Sequence, residues 1–256
     1  MEVERYEHGV PSWVDLGTPD IAKGAEFYSS LFGWNVEMGP PEAGGYSIAT
    51  LRGKPVAGIG PQMNPGPPYW TTYVSVDSAD EAVARAKANG ATVYMEPMDV
   101  MDAGRMAVFA DPIGAVISVW QPNSHPGAGI VNEPNSYSWS ELVTTDVEKS
   151  KQFYGAVFGW GSVTHGEGSP GAYTEWKIGD RSVGGMMEKP PMMPADVPPH
   201  WGVYFSVDGT DAAMEKVKAL GGQVLMGPMD VEPGRFAVVS DPQGAVFNII
   251  TMTAQH

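Results

Sequence analysis

Two short segments of the 256-residue chain carry a tryptophan and, two residues on, a carboxylate: Trp13-Val14-Asp15-Leu16 and Trp139-Ser140-Glu141-Leu142. Trp13 to Leu16 alternates like a half-buried strand, and at a period of two the indole and the acid share one face. An acid on such a strand is expensive to bury unless it is paired or functional. The structural reading is an ion pair with Arg105 or Arg235, from the repeated Gly-Arg pairs at 104–105 and 234–235. The functional reading is a general base, for which Glu141 is favoured over Asp15 because its side chain reaches further and His200 shares its rim.

Other chemistries find little support. There is no cysteine, so no disulfide framework, thiolate metal site or cysteine nucleophile. The histidines are His8, His125, His165, His200 and His256, and all except His200 fall in termini or expected loops. No glycine-rich phosphate cradle, dinucleotide fingerprint or zinc spacing occurs. With 15 basic against 30 acidic residues, a formal charge of −15, phosphate backbones and anionic lipid would be repelled. Neither nucleic acid nor membrane is therefore expected as a partner. The start, MEVERYEHGV, is charged and lacks the apolar core of a signal peptide, and no apolar run is long enough to span a bilayer. A cytoplasmic location is expected.

The two Trp-x-acid segments belong to a longer repeat. WVDLGTPDIAKGAEFYSSLFGW (13–34) answers to WSELVTTDVEKSKQFYGAVFGW (139–160), and WTTYVSVD, GATVYMEPMDV and GRMAVFADPIGAV recur in the same order at shifts of 126 to 131 residues. The halves are homologous domains: 1–121 and 137–256, joined by a linker at 122–136. Each half reads as two strand, helix, three-strand units. In the first, Thr18 and Pro19 signal a helix start, Phe27, Tyr28, Leu31 and Phe32 form its apolar face, and Gly33 supplies a left-handed stop. The repeated Asp-Pro-x-Gly at 111–114 and 241–244 reads as a turn between strands.

Four βαβββ units in two pairs, with FYxxxFGW closing each first helix and DPxG entering each last strand, resemble the vicinal oxygen chelate superfamily of glyoxalase I, bleomycin-resistance proteins and extradiol dioxygenases. The tandem arrangement is similar to proteins of glyoxalase/hydroxylase type. The resemblance implies an α+β fold of two tandem domains, each of two paired βαβββ units forming a curled mixed sheet around a cleft. It also implies a divalent metal on the concave face, held by His or Gln, His and Glu. Matched to that pattern, the ligand positions hold Trp13, Thr71 and Ser118 in one half and Trp139, Gly202 and Asn248 in the other. The fourth strands, VAGIG and VGGMM, offer no acid. These are not metal donors, so no metal and no cofactor is expected.

What the clefts would carry instead is aromatic. The concave faces are expected to present Trp13, Tyr73 and Trp120 beside Asp15, and Trp139, Tyr204, Asn248 and His200 beside Glu141. Methionines in the crossing loops PQMNPGPP and EKPPMMPADVPP could line the cleft edge. The leading reading is a protein that binds a small aromatic or polyketide-like molecule without a metal. The alternative is a metal-independent isomerase, lyase or hydroxylase with a carboxylate base, and a metal-dependent glyoxalase or dioxygenase comes last. The expected partner is a small hydrophobic or aromatic ligand, with a homodimer as an option.

Overall fold

The computed structural model describes residues 1–41, 44–63, 65–169 and 171–253; Asn64, in the first crossing loop, and His256 lie outside them. Domain 1 runs β1 (Pro11–Thr18), α1 (Ile21–Phe32), β2 (Asn35–Glu37), β3 (Ser47–Leu51), β4 (Lys54–Pro61), then β5 (Tyr69–Ser75), α2 (Ala79–Ala88), β6 (Thr92–Val100), β7 (Gly104–Ala110) and β8 (Val116–Pro122). Domain 2 repeats the series as β9 (Tyr137–Thr144), α3 (Val147–Phe158), β10 (Gly161–His165), β11 (Tyr173–Ile178), β12 (Arg181–Glu188), then β13 (His200–Ser206), α4 (Thr210–Ala219), β14 (Gln223–Val231), β15 (Gly234–Ser240) and β16 (Val246–Met252). The sheet orders are β2-β3-β4-β1-β5-β8-β7-β6 and β10-β11-β12-β9-β13-β16-β15-β14, so each is an open mixed sheet of two βαβββ units joined at their first strands. This is the expected α+β architecture.

Local chemistry differs from expectation at the start of α1. Thr18 ends β1, and the helix is capped by Asp20, whose carboxylate accepts from the Lys23 amide at 3.1 Å. Asp146 caps α3 in the same way. A carboxylate one residue before the helix both satisfies an orphan amide and faces the positive end of the helix dipole, which outweighs a proline signal two residues upstream. The left-handed stops are as read: Gly33 has φ 72° and Gly159 has φ 73°.

The repeated FYxxxFGW does more than close a helix. Tyr28 is fully buried, and its hydroxyl donates to Asp241 in the DPxG turn of domain 2 at 3.2 Å while accepting from Trp70 Nε1 at 3.0 Å. Its counterpart Tyr154 donates to Asp111 in the DPxG turn of domain 1 at 2.8 Å and accepts from Trp201 Nε1 at 2.9 Å. Trp34 Nε1 donates to the Asn135 carbonyl and Trp160 Nε1 to that of Gly9, each at 2.7 Å. Phe32 packs on Phe205 at 5.1 Å between centroids, and Phe153 on Phe109 at 6.2 Å. Helix ends are shared too, since Lys216 Nζ caps the Leu31 carbonyl and Arg85 Nε that of Val157. The first unit of each domain is thus sandwiched against the second unit of the other, and the two cores are each built from both domains.

Replacing Tyr154 by Phe leaves the buried Asp111 oxygen and the Trp201 indole without a partner, and should lower stability by about 2 kcal/mol, as should Tyr28→Phe. Urea melts of the two variants check this. Midpoints equal to wild type would mean that the interface does not depend on these hydroxyls.

Candidate functional site

Strand register decides which side chains share the face away from the helices. In domain 1 Asp15 pairs with Gly58 on β4 and Thr71 on β5, and Trp13 pairs with Tyr73, which pairs with Ser118. In domain 2 Glu141 pairs with Gly185 and Gly202, and Trp139 with Tyr204, which pairs with Asn248. The expected faces therefore form. His200 lies on the same face as Gly202 and Tyr204, with Nδ1 against the Pro198 carbonyl at 2.8 Å. Trp120 shares a face with Tyr73 and Ser118, paired to Ser75.

Each face carries a hydrogen-bonded chain that sequence reading did not foresee. Trp13 Nε1 donates to the hydroxyl of Tyr46 at 3.0 Å, and Tyr46 and Tyr73 donate to Asp15 Oδ2 at 3.1 and 2.9 Å. In domain 2 Trp139 Nε1 donates to Tyr173 at 2.9 Å, Tyr204 donates to Glu141 at 2.9 Å, and Tyr173 also bonds Glu141. Tyr46 and Tyr173 were missed, although YSIAT and YTEWK stand at matching places in the repeat. The glycines of the fourth strand make room for them. A Cβ on Gly58 would lie 1.9 Å from the Tyr46 hydroxyl, and one on Gly185 would lie 1.8 Å from that of Tyr173. A phenol thus covers a glycine of the fourth strand in each domain.

The structural partner proposed for the acids does not form. Arg105 binds Asp80 at 2.8 Å and Asp99 at 2.9 Å, and Arg235 binds Asp211 and Asp230, each at 2.9 Å, all at the protein surface. These carboxylates flank the arginine on the adjacent strand and on the preceding helix, so a short exposed fork wins over a buried reach. Among the described residues neither Asp15 nor Glu141 has a cationic partner. Burial pushes the Asp15 carboxyl up to about 6 despite its two phenolic donors, and pushes Glu141 upward for the same reason. Asp15 can hold or release a proton near neutral pH, and Glu141 keeps its proton to higher pH than a free glutamate.

The two faces differ at the first-strand tryptophan. His125, expected to sit idle in the linker, packs its ring edge-on to Trp13 at 4.5 Å and against Trp120 at 5.9 Å, and its carbonyl accepts from Trp120 Nε1 at 2.8 Å. Its Nε2 is buried without a hydrogen-bond partner among the described residues, and burial holds the ring toward its neutral form. Trp13 is buried where its counterpart Trp139 is half-buried. The other pairs match: Asp15 and Glu141, and Tyr46 and Tyr173, are half-buried, Tyr73 and Tyr204 are buried, and so are Trp120 and Ile250, which replaces it in the repeat. His165, expected in a loop, ends β10 and reaches Glu175 at 3.3 Å on the outer part of the domain 2 sheet. Met63 and Met192, in the crossing loops, are exposed.

A family model described as Glyoxalase/Bleomycin resistance protein/Dioxygenase superfamily matches residues 11–119 and 136–249. The chain belongs to this superfamily. It is 46% identical over 261 residues to "Putative glyoxylase CFP32" of Mycobacterium tuberculosis (strain CDC 1551 / Oshkosh), covering 98% of this chain and 97% of that one. It is 38% identical over 265 residues to the anthracycline biosynthesis protein DnrV of Streptomyces peucetius, covering 97% and 95%. Its fold is similar to that of the Mn(II)-bound glyoxalase from Novosphingobium aromaticivorans, with a TM-score of 0.66, 17% identity, and coverage of 96% of this chain and 83% of that one.

The superfamily implies a metal, and the donor set here does not fit one. The ligand positions hold an indole, a hydroxyl or glycine, and a hydroxyl or amide; Asp15 and Glu141 are each engaged by two tyrosines, and Glu175, on the same face as Glu141, is engaged by Lys177 and His165. Among the described residues no three His, Asp or Glu side chains converge. No helix among them is long and apolar enough to cross a membrane.

The raised Asp15 pKa fixes the sign of a pH effect. An unfolded aspartate releases its proton near pH 4 and the folded one near pH 6, so between these values the folded chain holds more protons and its stability falls as pH rises. Asp15→Asn should flatten that segment of the curve. Denaturant melts at pH 4, 5, 6 and 7 measure it, and a wild-type-minus-variant difference that does not change with pH would contradict the raised value.

Proposed function

We propose that the chain binds a small planar aromatic or polyketide-like molecule on the concave face of domain 2, without a metal, and that Glu141 exchanges a proton with it. The observation that carries this reading is the chain Trp139–Tyr173–Glu141–Tyr204 with its indole half-buried, in a domain whose twin has the corresponding indole, Trp13, buried against His125. Trp139 offers a stacking surface worth about 1 to 3 kcal/mol on burial. Glu141 offers a carboxyl with raised pKa and no cation to lock its charge. Similarity to a protein named for anthracycline biosynthesis supports a ligand of fused aromatic rings with phenolic or enolic oxygens. The candidate substrate residues in this domain are Trp139, Tyr204, Asn248 and His200, while Trp13, Tyr73, Trp120 and Asp15 form the counterpart in domain 1, where His125 packs on Trp13.

The second reading, an enzyme rather than a binder, is favoured by the same raised carboxyl. With its phenol neighbours, Glu141 would take a proton from an acidic C–H or O–H of the ligand and return it at another position, which is isomerisation without a metal or cofactor. Tyr173 and Tyr204, with pKa values raised by burial and by the nearby carboxylate, stay protonated as donors.

Titration with 1-hydroxyanthraquinone should quench tryptophan fluorescence saturably. Trp139→Ala should weaken binding by about ten- to a hundredfold, with Trp13→Ala close to wild type. Equal losses in the two variants would remove the assignment to domain 2. Glu141→Gln should fold and bind, yet lose turnover of any substrate found by roughly two to four orders of magnitude. If turnover survives intact while the melting temperature falls, Glu141 is structural.

A further inference from the structure

The repeat contains one motif to which no role has yet been given: Met-x-Pro-Met, at 95–98 and 226–229. Three residues apart on a regular strand, its two methionines would point to opposite faces. The register shifts within each motif instead set Met226 opposite Val238 and Met229 opposite Phe236, two residues apart on β15, so both methionines share a face. That face is the concave one. Trp139 pairs with Tyr204, Tyr204 with Asn248, Asn248 with Val238 and Val238 with Met226, a single row across five strands. Four strand spacings make the row about 19 Å long, measured along the sheet. A second row, Ile250, Phe236 and Met229, runs beside its outer end.

The row changes chemistry along its length. Its inner end holds the indole and the tyrosine-bound carboxyl, and its outer end holds only apolar side chains. Met226 and Met229 are each 37% exposed. Flexible, polarizable thioethers set on a sheet face that solvent reaches are suited to flat ligands of varied outline. The bulge that brings both onto this face occurs again in domain 1, where Met95 meets Val108 and Met98 meets Met106.

We infer that Met226 and Met229 are specificity-determining residues that hold the far rings of an elongated multi-ring arene whose phenolic or enolic oxygen meets Glu141. This rests on the function proposed above and adds the length and polarity of the ligand: one hydroxylated end, and an apolar body of two or more further rings. The occupant is a small molecule because the row runs on one sheet face from the polar chain around Glu141, across Asn248, to the apolar outer end.

The test is the affinity of phenol, 1-naphthol and 1-hydroxyanthraquinone for four proteins: wild type, Met226→Ala/Met229→Ala, Met226→Leu/Met229→Leu and Met95→Ala/Met98→Ala. Wild type should bind more tightly with each added ring. The domain 2 alanine pair should lose about tenfold or more for the anthraquinone and less than about twofold for phenol. The leucine pair and the domain 1 pair should keep the wild-type order. Ring-count dependence that survives in the domain 2 alanine pair overturns the inference, and Trp139→Ala weakening all three ligands in that case would leave the proposed function standing. If wild type binds none of the three, both fall. A mass in solution that drops from dimer to monomer on the domain 2 alanine substitutions would also overturn it, by making this face a contact between copies.

Discussion

The structure hangs on a buried hydroxyl-to-carboxylate hydrogen bond made twice, Tyr28 to Asp241 and Tyr154 to Asp111. Each joins the first helix of one domain to the last turn of the other, and each tyrosine also accepts from a buried indole. The aspartates are held on the other side by their own turns: Asp111 accepts from the amides of Ile113, Gly114 and Ala115, and Asp241 from those of Gln243 and Ala245. A buried acid with this many donors is stable only where every partner is in place. The repeat FYxxxFGW is therefore half of an interdomain joint, and DPxG is the other half. Because the joint is exchanged between domains, neither half has a complete core alone.

That joint is built from the helix-side faces of the sheets. The helices and the interface take Val14, Leu16 and Leu142 on one side, which leaves the other side to Trp13 and Asp15 or to Trp139 and Glu141. A carboxyl placed there without a cation is costly, and the cost is offset by two phenols rather than by an arginine. The phenols only partly offset what burial costs the charged form, so both carboxyls keep their protons to higher pH than in water. The linker then distinguishes two otherwise equivalent faces, since His125 packs on Trp13, which is buried, whereas Trp139 is half-buried.

Much of this is legible in the sequence, and the illegible part has a physical cause. The internal repeat exposes the two domains and the order of elements, and period two puts each tryptophan on the same face as its acid. Asp20 as a helix cap competes with the Thr18-Pro19 signal beside it, and only the geometry of the chain entering the helix decides between them. The arginines show the limit of reasoning by charge: Arg105 and Arg235 have nearer acids across one strand and on the preceding helix. Tyr46 and Tyr173 are marked in the repeat, but their role depends on glycines one strand away whose missing Cβ atoms admit the rings. His125 carries no signal at all, because a linker residue enters a cleft only through the path of the chain around it.

The most direct measurement is a crystal structure of the protein grown with 1-hydroxyanthraquinone. Density for the ring system is expected along the concave face of domain 2, with one oxygen at the Glu141 carboxylate and the adjoining ring against Trp139. Density in domain 1 with His125 displaced, or on the outer surface with both clefts free, would contradict the assignment of the site.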